Sequence, residues 1–158
     1  ILVLQAGPAD AGPGTFTAKE LADYRLSLPV FEQFDHASRL IAAATRDDPN
    51  LAENPLFTRE VSVLGDAPVM AAELEARLRS APALAAALRA ADISARDYTK
   101  FALSLFAARL AHGFVKSGAL RIVPPGVATD NVAFVEAHQV EIAAVLQLLG
   151  LETPQQAR

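Results

Sequence analysis

The run from Ser94 to Lys116, SARDYTKFALSLFAARLAHGFVK, constrains the fold more than any other part of the chain. It lies in the longest stretch without Pro, and Gly113 is its only Gly. It opens on Ser94-x-x-Asp97, an Asp variant of the capping box that satisfies the orphan N–H groups of a helix start. Tyr98, Phe101, Ala102, Leu105, Arg109 and Leu110 descend one helical face. Leu103, Phe106 and Phe114 widen that face and leave a narrow polar side of Asp97, Lys100, Ser104 and His112. An apolar stripe this broad needs neighbours on several sides. The segment is therefore predicted to be a central helix, sandwiched between N-terminal and C-terminal helices.

The rest of the chain reads as helices of the same kind. Thr17-x-x-Glu20 is a capping box, with Phe16 and Leu21 placed for a hydrophobic staple. Leu21, Tyr24, Leu28, Phe31, Phe34 and Ile41 recur at helical steps up to about Arg46. Pro29 predicts a kink near Leu26–Leu28, or two helices meeting there. A short helix is predicted from Asn54-Pro55 to Val63, and another after Asp66 with Val69, Leu74 and Leu78 facing inward. A further one spans Ala83 to Ala91. Pro124-Pro125-Gly126 stiffens a long connection, and a last helix is predicted from Asn131 to Leu149. Ala supplies much of the apolar content, and β-branched runs are short, which favours helices over strands. The expectation is all-α: one helical-bundle domain over residues 17–150, of four principal helices and one or two short ones. A Gly/Pro-rich lead-in (1–16) precedes it and a polar tail (151–158) follows.

Charge and composition exclude several classes of function. The net charge is −4 and basic residues are scattered singly, so the electrostatic footprint of a nucleic-acid binder is missing. With no Cys, disulfides, zinc–thiolate centres, iron–sulfur ligation and covalent haem attachment are ruled out. No apolar run approaches the roughly 18 residues of a membrane span. Ile1-Leu2-Val3-Leu4, followed by Ala9-Asp10-Ala11, has the layout of the end of a signal peptide. This predicts a secreted or periplasmic protein; an ordinary apolar extension has the same composition.

Residues with chemistry are few. His36, His112 and His138 fall on three different predicted helices. Neutral imidazole is a common metal and haem ligand, which makes the three the candidate metal set. Yet Glu32-x-x-x-His36 and His138-x-x-Glu141 lack the Glu-x-x-His order of di-metal bundles. No Gly-x-Ser-x-Gly elbow and no phosphate-binding Gly loop is present. Among so many small Ala residues, Phe101, Phe106 and Phe114 are the candidate lining of an apolar ligand site, with core packing the competing role for each.

Pro82-x-Leu84, Leu88 and Ile93-Ser94-x-x-Asp97-Tyr98, then Gly126-Val127, Asn131-Val132-Ala133-Phe134-Val135 and Glu141-Ile142, together resemble uncharacterised, Ala-rich exported bacterial helical proteins. The resemblance covers roughly the C-terminal half. It implies helix order and export, and no activity. The function expected from the sequence is non-enzymatic binding of a partner protein or an apolar small molecule. The site is expected beside the Ser94–Lys116 helix or the Pro124 loop; the alternative is a metal or non-covalent haem held between histidines.

Overall fold

The computed structural model describes residues 14–52 and 67–150. The expected signal-like segment at residues 1–11, the short helix from Asn54 to Val63, the Asp66 cap and the tail from residue 151 lie outside them. The described residues are all-helical, without strands. In chain order the helices are α1 (Ala18–Asp23), α2 (Leu28–Asp47), α3 (Pro49–Ala52), α4 (Ala67–Ser80), α5 (Pro82–Ala90), α6 (Ala95–Lys116), α7 (Thr129–Ala137) and α8 (Gln139–Leu148). No helix among them is long and apolar enough to cross a membrane.

The first long pattern is two helices meeting before Pro29, one of its two expected forms, and the last expected helix is divided. Pro29 occupies the first turn of α2, where its missing N–H has no partner to lose, so the chain makes a corner after α1 rather than a kink. Asn131, buried in α7, fixes that corner. Its Oδ1 accepts from Leu26 N–H and its Nδ2 donates to the Tyr24 carbonyl, both at 2.9 Å. The Asn131–Leu149 helix breaks at His138, whose backbone (φ −123°, ψ 29°) leaves the helical region between α7 and α8.

The caps behave in part as expected. The Thr17 hydroxyl accepts from Glu20 N–H at 3.0 Å, and Ser94 Oγ accepts from Asp97 N–H at 3.0 Å. Glu20 does not reach back to its cap. Its carboxylate takes a two-pronged hydrogen bond from Arg96 Nη2 instead, at 2.7 and 2.9 Å. A charge-assisted bond of that kind outweighs a neutral one to a backbone N–H.

Helix α6 is the centre: it packs against α1, α2, α4, α5 and α7. Tyr98, Phe101, Ala102, Leu105, Ala108 and Ala111 are buried along it. Phe34 sits 4.7 Å from the Tyr98 ring and 4.8 Å from Phe101, with Phe31 and Tyr24 completing the aromatic cluster. Ile142, Val145 and Leu146 of α8 close the core from the other end of the chain. Two expected facings are reversed. Val69 is 57% exposed although Leu74 and Leu78 of the same helix are buried. Ser104, placed on the polar side from the sequence, is buried, because the surrounding helices leave little of α6's first four turns in water. In the Pro124 loop, Val127 N–H bonds the Pro124 carbonyl at 3.2 Å, with Gly126 at φ +88° in the turn position that favours Gly. The loop packs Val127 onto the core and leaves Ile122 in solvent.

Candidate functional site

The aromatic residues singled out from the sequence part company in the structure. Phe101 is fully buried between Phe31, Phe34 and Tyr24, so it belongs to the core and offers no surface to a ligand. Phe106 and Phe114 lie further along α6 and line an open groove of about 440 Å³. Its walls are Phe106, Arg109, Leu110, Gly113, Phe114 and Ser117 of α6 with its C-cap, and Leu146 of α8. The α6 residues recur at three- and four-residue steps, so they form one longitudinal face of the helix. Leu110 is 43% and Phe114 47% exposed. The groove exists because α6 and α8 do not pack directly: no Cα pair between them comes within 8 Å.

A second groove of about 610 Å³ adjoins the first at Arg109, which lines both. From α6 it receives Arg109, His112 and Lys116. Its other wall is Val135 of α7 with Gln139, Val140, Ile142, Ala143, Ala144 and Gln147 of α8. Among the described residues that line it, every ionisable one is basic or a histidine. Burial draws the Arg109 guanidinium below the ordinary arginine value, from a starting point so high that the group keeps its charge at neutral pH.

The three histidines occupy separate settings. His36 is exposed on α2, and His112 is half-buried in the second groove. His138 lies at the α7–α8 break with its ring against Phe134 at 4.5 Å and Phe31 at 6.4 Å. Among the described residues no group of three or more His, Asp or Glu side chains is placed to hold a metal ion.

Sequence reasoning missed a buried charge cluster at the other end of α6. Glu75 is fully buried on the inner stripe of α4, beside Leu74 and Leu78. Its Oε1 lies 2.6 Å from Arg79 Nη2, off the hydrogen-bond direction, and its Oε2 lies 3.6 Å from Arg96 Nη1. Arg96 also holds Glu20, donates to the Thr15 carbonyl at 3.0 Å and stacks 4.3 Å above the Phe16 ring. Lys100 completes the set, 3.8 Å from Glu20 and 3.6 Å from Asp97. Among the described residues its three carboxylates and three cations balance, and neither groove's described lining includes them. It ties α1, α4 and α6 together. The only sequence signal for it is Glu75 sitting at an apolar register position: Ala71, Leu74, Glu75, Leu78.

Comparison with protein-family models, with curated proteins and with solved structures finds no match.

Proposed function

We propose that this chain is a binding protein whose ligand, an apolar small molecule or an apolar segment of a partner protein, lies along the C-terminal half of α6. The observation that carries this reading is Gly113. It sits inside α6, where Gly costs roughly 1 kcal/mol relative to Ala. Its φ is not positive, and among the described residues a Cβ built on it meets no atom within 4 Å, so none of them requires a glycine there. As part of the wall between Leu110 and Phe114, however, it keeps the groove open. Large apolar side chains left in water on the most central helix support the same reading.

In this reading α2, α4, α6 and the α7–α8 pair are the four principal helices of one bundle, and the groove is the gap left where the bundle stays open. Export belongs to it as well, on the layout of residues 1–11. N-terminal sequencing of the protein recovered from periplasm or medium checks that part. Cleavage after Ala11 is expected, and retention in the cytoplasm with residues 1–11 intact contradicts it.

The binding claim is tested with the apolar fluorophore N-phenyl-1-naphthylamine. It should bind the wild-type chain with a rise in emission, and Gly113→Leu, which fills the groove from inside the helix, should weaken it at least tenfold. Because Leu is a far better helix former than Gly, the variant should remain folded and as stable as the wild type. Unchanged binding by a folded Gly113→Leu removes the groove from consideration.

A further inference from the structure

Helix α1 is held at its two ends by different chemistry. We propose that residues 15–23 form a strap that opens as a unit while the rest of the bundle stays folded. The strap is hinged at the Tyr24–Leu26 corner and latched to Arg96 by charge. It lies at the opposite end of α6 from the grooves, and the ligand reading above does not depend on it.

Helix α1 has 6 residues and none of them is buried. A helix that short does not hold itself in water, so its order comes from docking. Past its C-terminal end the attachment is neutral. Leu26 is buried, its N–H donates to Asn131 Oδ1, and the Tyr24 carbonyl accepts from Asn131 Nδ2. At the other end the attachment is Arg96. Its Nε and Nη2 both donate to Glu20, Nη2 also donates to the Thr15 carbonyl, and the guanidinium covers the buried Phe16 ring. Lys100 adds a second cation 3.8 Å from Glu20. Asp23, the other carboxylate of α1, pairs with Lys19 inside the helix, so Glu20 alone carries α1's charge to a neighbour among the described residues. On its far side Arg96 faces the buried Glu75 of α4 at 3.6 Å. Arg96 therefore stays with α4 and α6 when α1 leaves, and the Glu20 carboxylate decides the latch. A segment with so little burial opens at lower cost than the whole fold. Opening turns the Nε–Nη2 edge of Arg96 to solvent.

The test is native-state proteolysis of the full chain with an endoproteinase that cuts after lysine. Lys19 lies in α1, Lys100 inside α6 and Lys116 at its end. Cleavage after Lys19 needs the strap open, whereas cleavage after Lys100 needs α6 itself unfolded. Each rate is taken relative to the same bond in the urea-unfolded chain, at protease levels where cleavage follows the population of the open form. In the wild type the bond after Lys19 should be cut at least tenfold faster than the bond after Lys100, and at least tenfold slower than in the unfolded chain. Glu20→Gln should speed the cut after Lys19 at least tenfold. Asp23→Asn, which removes a carboxylate of α1 without touching Arg96, should change it less than threefold. Tyr98→Phe, which weakens the core and not the latch, should speed the cut after Lys100 several-fold and leave Lys19 unchanged. Equal wild-type rates at Lys19 and Lys100, or a rise at both in Tyr98→Phe, overturn the strap as a separate unit. Cleavage after Lys19 at the unfolded rate in the wild type, or a Glu20→Gln effect no larger than that of Asp23→Asn, overturns the latch.

Discussion

At the scale of single residues, buried polar groups make the sharpest claims. Tyr98 is buried with its hydroxyl 2.9 Å from Ser38 Oγ. Burial pushes the Tyr98 hydroxyl up to about 12, against a smaller lowering from Ser38. An unfolded Tyr titrates near 10, so between about pH 10 and 12 the unfolded chain releases a proton that the native chain keeps. Stability is untouched below that window and falls by about 3 kcal/mol across it for this residue. Tyr98→Phe should flatten the alkaline loss, measured by urea unfolding at pH 8 and pH 11.5. It should cost about 1 kcal/mol at pH 8, where Ser38 loses its partner. Part of the slope should survive, since burial and then the Asp97 charge raise Tyr24 to about 12 as well. Asn131 is the other case. Asn131→Leu strands the Leu26 N–H and the Tyr24 carbonyl and should cost about 2–3 kcal/mol by the same measurement. Neither pairing was legible from the sequence, because the partners lie 60 and more than 100 residues apart and nothing local marks them.

At the scale of elements, caps and apolar steps were legible because they are local. The Thr17 and Ser94 starts and the buried face of α2 follow from spacing alone. Pro29 marks the corner after α1 in the sequence, but spacing does not reveal the cut at His138, since the apolar periodicity runs on through it. The α5–α6 junction shows how tight such corners are. Asp92 adopts φ +55°, with its N–H on the Arg89 carbonyl and Ile93 N–H on the Leu88 carbonyl, a Schellman closure with Asp where Gly is usual. Asp92→Gly should raise stability by about 0.5–1 kcal/mol, read as a higher Tm. The charge cluster binds elements as well. Arg96→Ala leaves Glu75 buried with Arg79 as its remaining close cation among the described residues and should cost about 3 kcal/mol in denaturant unfolding. Replacing Glu75 and Arg96 together by Met should cost less than that single change, because the expense lies in the stranded charge.

At the scale of the molecule, the central place of the Ser94–Lys116 segment was readable from the width of its apolar stripe. The division of that stripe was not. Its first four turns are enclosed by α1, α2, α4 and α5, whereas the last turns leave Leu110 and Phe114 in water across from α8. Periodicity tells which residues are apolar and not which neighbour is absent, so Phe101 and Phe114 look alike in the sequence and have opposite environments in the fold. The second groove was hidden for a similar reason. Its cations are spread over α6 at spacings that mean nothing until α8 stands opposite them.

The central claim is the place of the ligand along the C-terminal half of α6. Amide chemical-shift mapping of the isotope-labelled full chain, titrated with N-phenyl-1-naphthylamine, tests that most directly. Shifts concentrated on residues 106–117 and around Leu146 are the expected result. Shifts centred on the exposed Ile122 or Val69, with the C-terminal half of α6 unmoved, would contradict it.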